Sequence, residues 1–385
     1  PSIELELYTF NNFTFTNMGA TGRYGPSTGA EYEYGPWGTN NSFFYVINGY
    51  QYWTVPSTGL YNIILAGAGN GPRYLTNNQK YFSYGAVLTV QYSFKQGDII
   101  KMVVGQCGQT PYSEGIILTG GSGGSGGTYI YNETTATLLF VAGGAGGIGY
   151  NYTSYSRTNA SLTTSGINAD GNGGINGSGG LTAADAGFPM NNLGSAGGGG
   201  YNSNNGNGSV NSFSFDIRTG GQSFLNGSLG GIFPGGNGAI GGFGGGGAAG
   251  GDNNSGSGGG GGGYSGGGSA QYGGAGGGGG SFDFRTGTAN GVINNPNMGY
   301  INITLLSPNT NDIINSNINY SFIASSSSNT TNVYNVFDNN LETKWTSMTN
   351  GNYITLSYNT IRHYFTRLID TFNASVLFNT DDTLS

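Results

Sequence analysis

Gly256-Ser257-Gly258-Gly259-Gly260-Gly261-Gly262-Gly263-Tyr264-Ser265-Gly266-Gly267-Gly268-Ser269-Ala270-Gln271-Tyr272-Gly273-Gly274-Ala275-Gly276-Gly277-Gly278-Gly279-Gly280-Ser281-Phe282 is the stretch on which the fold turns. Such a tract has two physical readings. Glycine loses more backbone entropy on ordering than any other residue, so one reading is a flexible spacer. The other is an array of extended segments with three residues per turn, the polyproline II geometry, built from glycine so that backbones can approach closely. Each segment would then exchange N–H and C=O bonds with neighbours on all sides, which proline could not do. Ordering costs roughly 1–2 kcal/mol per residue, so many segments would have to lock together. Three features favour order: proline is rare, aromatic residues recur inside the tract, and Phe213-Ser214-Phe215-Asp216-Ile217-Arg218-Thr219-Gly220 is echoed by Phe282-Asp283-Phe284-Arg285-Thr286-Gly287.

Around this stretch, 51 of the 79 glycines lie between Gly166 and Gly299, in a chain of 385 residues that is only 8% charged and 13% aromatic. The flanks have a different texture. Phe13-Thr14-Phe15-Thr16, Phe43 to Ile47, Tyr50 to Trp53, Tyr61 to Leu65 and Ile99 to Val104 are rich in β-branched and aromatic residues, and Tyr8-Thr9-Phe10 alternates likewise. Turn residues separate the runs at Arg23 to Pro26, Val55 to Gly59 and Lys95 to Asp98. Thr128 to Tyr131, Leu138 to Ala142 and Tyr300 to Leu306 are further strand candidates. The pattern predicts an all-β sandwich with almost no helix, apart from a turn near Leu181 to Asp185.

Several chemistries are disfavoured. A net charge of -7, from 11 Lys+Arg against 18 Asp+Glu, offers no footprint for phosphate backbones, so nucleic acid is not an expected partner. No run of 18 apolar residues exists, so no membrane span is expected. Cys107 is the single cysteine and His363 the single histidine, far apart in sequence, which supports neither a nucleophile–base pair nor a zinc site. Gly144-x-Gly146-x-x-Gly149 after an apolar run imitates a dinucleotide fingerprint, but the following Tyr150 to Tyr155 is β-prone rather than helical. Glu4/Glu6 and Glu31/Glu33 each point to one face if extended, which suits glycoside hydrolysis, a hard cation or a plain solvated strand. Tyr32, Tyr34, Tyr45, Tyr50 and Tyr52 either pack the sandwich or form a recognition surface for carbohydrate or protein.

A family resemblance joins these pieces. Phe15 to Pro26, Trp53 to Tyr61, Phe94 to Asp98 with Val103-Val104-Gly105-Gln106, Val141 to Gly147, and Ala275 to Phe282 keep an order that resembles the extracellular glycine-rich domain of anaplastic-lymphoma-kinase-type receptors. That resemblance implies a jelly-roll, tumour-necrosis-factor-like β-sandwich carrying an inserted bundle of polyglycine II helices. The receptor version has disulfides and a kinase, absent here, so signalling and cytokine binding do not carry over. Val336-Phe337-Asp338-Asn339-Asn340-Leu341-Glu342-Thr343-Lys344-Trp345 is similar to the opening of discoidin or coagulation-factor type C domains, which are galactose-binding-like. This second resemblance implies Asp338 as a candidate calcium ligand and Trp345 as a packing residue, with a polar turn as the plain alternative. No other cofactor is expected.

The expected organisation is therefore sandwich core strands over 1–165, a glycine-rich insert over 166–299, a closing strand and linker over 300–310, and a partial discoidin-like β domain over 311–385. The expected role is that of a non-enzymatic structural or adhesion protein on a virion surface, as a giant-virus capsid or fibre component, or on a cell surface such as a protist's. Its expected partners are other structural proteins or copies of itself, including a homotrimer, and host glycans. The alternative is a secreted lectin-like carbohydrate-binding module with a glycine-rich spacer.

Overall fold

The computed structural model describes residues 7–29, 35–38, 40, 42–74, 80–110, 120–150, 156–187, 194–203, 207–213, 216–233, 239–251, 256–308, 323–326 and 354–357. Up to residue 165 the strands are β1 Asn12–Phe15, β2 Phe44–Ile47, β3 Tyr50–Thr54, β4 Gly59–Ala66, β5 Asn70–Tyr74, β6 Lys80–Ser83, β7 Gly85–Phe94, β8 Ile99–Val103, β9 Thr128–Asn132 and β10 Thr137–Ala142. Beyond it they are β11 Asn211–Phe213, β12 Asp216–Arg218, β13 Phe282–Asp283, β14 Gly291–Asn295, β15 Tyr300–Pro308, β16 Ile323–Ser326 and β17 Ile354–Ser357. Among the described residues the only helical elements are single 3-10 turns at Ser156–Thr158 and Phe224–Asn226. No helix of these residues is long and apolar enough to cross a membrane.

The chain divides into two compact units, one covering Ser2–Ile313 and the other built on Ile314–Ser385. In the second, the described residues are β16 and β17, which pair antiparallel. The first contains a five-stranded sheet in the order β1-β15-β4-β7-β14 and a six-stranded sheet in the order β13-β10-β9-β8-β3-β2, with antiparallel pairing throughout.

Alternation along the strands makes the core. Tyr61, Ile63 and Leu65 of β4 are buried while Leu60, Asn62 and Ile64 are partly exposed, as a pleated strand with one wet face requires. Register then places Phe15, Ile301, Leu65 and Leu88 in one inward row of the first sheet. Met102, Ile130 and Phe140 form an inward row of the second. These rows belong to a single apolar cluster centred on Trp53, whose ring lies 5.3–6.1 Å from those of Phe10, Phe15, Tyr61 and Phe94.

One expectation needs correction. Tyr8-Thr9-Phe10 is not a strand. Its alternation reflects burial alone: Phe10 packs on Trp53, the Trp53 indole donates to the Tyr8 hydroxyl at 2.6 Å, and that hydroxyl donates to the Thr54 carbonyl at 2.6 Å. The echoed sequences adopt different structures. In the first, Phe213 of β11 pairs with Asp216 of β12, whereas in the second Phe282–Asp283 pairs with β10 and Arg285 turns back to Asp283 at 2.6 Å. The turn expected near Leu181 to Asp185 is present, closed by the Ala186 N–H on the Thr182 and Ala183 carbonyls.

Every residue from Leu138 to Ala142 is buried, because both faces of β10 are covered. A bulge between Leu138 and Phe140 sends Leu139, Phe140 and Ala142 into the sandwich and Leu138 and Val141 to the other side. There they meet a second cluster, in which Tyr50, Val103 and Tyr129 of the sheet pack with Phe224 and Phe243 from the glycine-rich segments.

Candidate functional site

Glycine-rich segments that are neither helix nor strand form a backbone hydrogen-bond lattice beside the second sheet. In residues 120–127, the N–H groups of Ser122 and Ser125 donate to Ile148 and Ala145, those of Gly123 and Gly126 to Gln109 and Gln106, and those of Gly124 and Gly127 to Gly247 and Gly244. The direction of donation repeats every third residue, and the partners step by three as well. Carbonyls point elsewhere: Ser122 and Ser125 accept from Gly259 and Gly262, Gly124 from Gly242, and Gly126 from Ala68.

Residues 258–264 repeat the arrangement. Gly258, Gly261 and Tyr264 donate to Gly274, Gly277 and Gly280, while Gly259 and Gly262 donate to Ser122 and Ser125, and Gly260 and Gly263 to Ala196 and Gly199. A β-ladder has a period of two and bonds in one plane, so a period of three with bonds all round is a different solution to backbone satisfaction.

Glycine is required by contact here. A Cβ on Gly121, Gly124, Gly126, Gly258 or Gly260 would fall well inside 3.0 Å of a carbonyl oxygen of a neighbouring segment. Serine replaces glycine where its Cβ fits, and its hydroxyl then joins the lattice. Ser125 Oγ donates to the Gly69 carbonyl at 2.8 Å and accepts from the Gly108 N–H at 3.1 Å. Ser195 Oγ donates to Gly258 at 2.6 Å and accepts from Ala270 at 2.8 Å, and Ser281 Oγ donates to Ser161 at 2.7 Å and accepts from Gly143 at 3.0 Å.

The lattice leaves one row of the outer sheet face partly exposed. Register aligns Tyr45, Tyr52, Lys101 and Tyr131 across β2, β3, β8 and β9. Tyr45 and Tyr52 stack at 4.8 Å with an interplanar angle of 8°. Lys101 Nζ sits 4.3 Å from the Tyr50 ring centre, 5.4 Å from that of Phe224 and 5.8 Å from that of Tyr52. On the lattice side a second run of rings continues from Phe224 to Tyr201 at 5.9 Å, Tyr264 at 6.3 Å and Phe282 at 4.4 Å, nearly parallel throughout. The tyrosines of both runs are half-buried, and Leu225 beside them is exposed.

Burial pushes the Tyr52 phenol up to about 12, with Glu133 and the neighbouring Tyr45 and Tyr50 adding to it. Burial likewise raises Tyr50, and it raises Tyr129, whose hydroxyl donates to the Gly263 carbonyl at 2.7 Å. Between pH 10 and about 12 the folded protein keeps protons that the unfolded chain releases. Stability is therefore expected to be full below pH 10 and to fall as pH rises through this window. Denaturation midpoints against pH, with phenolate absorbance in parallel, check this; all 27 tyrosines ionising together near pH 10 with unchanged midpoints would refute it.

Of the residues singled out in the sequence, Glu4, Glu6, Glu31, Glu33, Tyr32, Tyr34, Asp338, Trp345 and His363 lie outside the described residues. Tyr45, Tyr50 and Tyr52 are brought together, with Tyr50 buried and its hydroxyl bonded to the Phe224 carbonyl. Cys107 is half-buried, with its thiol pushed up to about 11 by burial, which keeps it protonated at neutral pH. Gly144 and Gly146 spend their N–H groups on Gly262 and Thr158, so neither is available to cradle a phosphate. Among the described residues no three His, Cys, Asp or Glu side chains gather where they could hold a metal. Lys101, Tyr131, Tyr201 and Tyr264 escaped sequence reasoning, because only strand register and lattice packing bring them to Tyr52. No protein-family model matches the chain, and no characterised protein of similar sequence is found.

Proposed function

We propose that the protein is a non-enzymatic structural and adhesion protein displayed on a virion or cell surface, in which a tumour-necrosis-factor-like jelly-roll sandwich carries a rigid polyglycine II bundle. One observation carries this reading: the three-residue repeat of backbone bonds in residues 120–127 and 258–264. A three-per-turn extended segment has that period, and glycine alone lets such segments touch on every side. A lattice of this kind contributes stiffness and very few side chains for chemistry, which fits a display scaffold better than a catalyst. The sequence resemblance to glycine-rich receptor domains points the same way. Copies of itself, other structural proteins and host glycans are the partners that fit the role.

Amide hydrogen exchange tests the proposal. Gly123, Gly126, Gly260 and Gly261 are expected to exchange as slowly as core amides of β4 such as Ile63. Exchange of these glycines at unfolded-chain rates would reduce the tract to a tether and remove the basis for a rigid display role. The secreted lectin-like reading is favoured by the tyrosine row. In its discoidin-like form it predicts calcium-dependent glycan binding that is lost in Asp338→Ala.

A further inference from the structure

The half-buried tyrosine row at the edge of the lattice has the chemistry of a ligand site, and we infer that it binds a neutral oligosaccharide across Tyr45, Tyr52 and Tyr131, bordered by Tyr201 and Leu225. The inference rests on the adhesion half of the proposed function and supplies its ligand class.

Four observations lead there. The first is that the row is partly exposed. The lattice covers Tyr50, Val103 and Tyr129 with Phe224 and Phe243 and reaches the next row through Phe224, which meets Lys101 and Tyr131; Tyr45, Tyr52, Lys101 and Tyr131 stay partly exposed, with Tyr201 against Phe224 and Leu225 exposed next to it in the chain. The second is that the hydroxyls of Tyr45, Tyr52, Tyr131 and Tyr201 take no hydrogen bond from the protein among the described residues, unlike those of Tyr50 and Tyr129. Burial raises Tyr52, Tyr131 and Tyr201, so these phenols stay neutral and able to donate.

The third is charge. Lys101 holds its ammonium over three rings, and Glu133 lies close enough to act on Tyr52 and Tyr131. The row is thus balanced within a chain of net charge -7, which would repel a polyanion. The fourth is length and surroundings. Tyr45 to Tyr131 crosses three strand spacings, about 14 Å at ~4.8 Å each, which suits several sugar rings rather than one. The neighbouring amides are already engaged: Asn226 donates to the Ser203 carbonyl and to Asn207 Oδ1, and Asn202 donates to the Asn176 carbonyl, so the phenols carry the polar recognition.

The ligand must offer apolar faces to rings and many hydroxyls to phenols, without charge. A pyranose chain has C–H faces and hydroxyl edges and meets all three demands. A protein partner would want a larger dry apolar centre than this polar row supplies.

The test is native electrophoresis of the full chain through gels carrying a β-glucan, a mannan, a galactan or a xylan, with heparin in a fifth. Retardation by at least one neutral polysaccharide is expected, with affinity at least tenfold weaker in Tyr52→Ala and in Tyr131→Ala and a smaller loss in Tyr52→Phe, which keeps the ring. Tyr45→Ala, on the edge strand, serves if either alanine variant fails to fold, as judged by thermal melting. No retardation by any neutral polysaccharide, retardation by heparin alone, or retardation unchanged in the tyrosine variants would overturn the assignment. Hydrogen exchange of the lattice glycines is read separately on the same protein, so a failed glycan site and a failed rigid scaffold are told apart.

Discussion

Gly124→Ala is expected to destabilise the protein by about 3–5 kcal/mol, one of the largest effects of any single methyl group in the chain. At a compatible backbone conformation glycine to alanine normally stabilises, by about 0.4–1 kcal/mol, because the unfolded chain loses freedom. Gly124 does not occupy the left-handed region, so backbone preference is no obstacle. The obstacle is contact. The added methyl would overlap the carbonyl oxygen of Gly260 and crowd that of Gly259. Main-chain atoms cannot rotate away as a side chain can, so the two segments must separate. Separation strains the bond from Gly124 to Gly247, the bond from Gly242 to Gly124 and the bond from Gly247 to Gly260. Overpacking in ordinary cores costs about 1–3 kcal/mol, and the extra here comes from those bonds losing their geometry together.

Gly71→Ala is the matched control, because a Cβ there meets nothing within 4 Å and the backbone is again not left-handed. It is expected to be neutral or slightly stabilising. Thermal unfolding of both variants decides the matter: a fall of roughly 5–10 °C for Gly124→Ala against no fall for Gly71→Ala is expected, scaling down the usual 2–4 °C per kcal/mol for a unit of this size. Equal melting temperatures for Gly124→Ala and the parent protein would mean that the lattice is too loose to feel a methyl group.

How much of this could be read in the sequence depends on whether a side chain carries the signal. β3, β4, β8, β9, β10 and β15 were legible because apolar residues alternate or run together between turn residues. β14 was not, since Gly291-Val292-Ile293-Asn294-Asn295 starts on glycine, breaks register between Ile293 and Asn295, and leaves Val292 and Ile293 exposed at an edge. Sheet order was invisible as well: β1 pairs with β15 from the far end of the unit, and nothing local encodes that. The Asn48-Gly49 dipeptide does encode the tight β2–β3 turn, both residues having positive φ.

Within the lattice, glycine leaves no pattern, yet serine does. Gly120-Gly121-Ser122-Gly123-Gly124-Ser125-Gly126-Gly127 has period three, and the two serine N–H groups donate to the same neighbouring segment. The candidate site was half legible. Tyr45 and Tyr52 stood out by type, but Lys101 joins them only through the β3–β8 register, and Tyr201 and Tyr264 only through packing of lattice segments onto the sheet.

Phe224→Ala is expected to cost about 3–5 kcal/mol and to loosen the lattice ahead of the sandwich. Backbone bonds alone supply too little. A hydrogen bond contributes a net of about 1 kcal/mol, whereas fixing a residue costs roughly 1–2 kcal/mol, so a lattice of bonds alone is near balance at best. The surplus must come from apolar burial, and Phe224 is the main apolar link between lattice and sheet. It is 1% exposed. Its ring stacks on Tyr129 at 5.0 Å and meets Tyr50 edge-on at 5.6 Å, with Tyr131 at 5.7 Å and Tyr201 at 5.9 Å around it. Removing it leaves a cavity walled by tyrosines and takes away a ring from over Lys101. The sandwich core around Trp53 does not touch Phe224, so it should keep its own stability. Calorimetry with hydrogen exchange separates the two parts: Gly199, Gly260 and Gly263 should gain exchange at temperatures where Ile63 and Leu65 remain protected. A single shared loss of protection at an unchanged midpoint would show that the glycine segments hold themselves together without the aromatic anchor, against the balance of entropy and hydrogen bonding argued above.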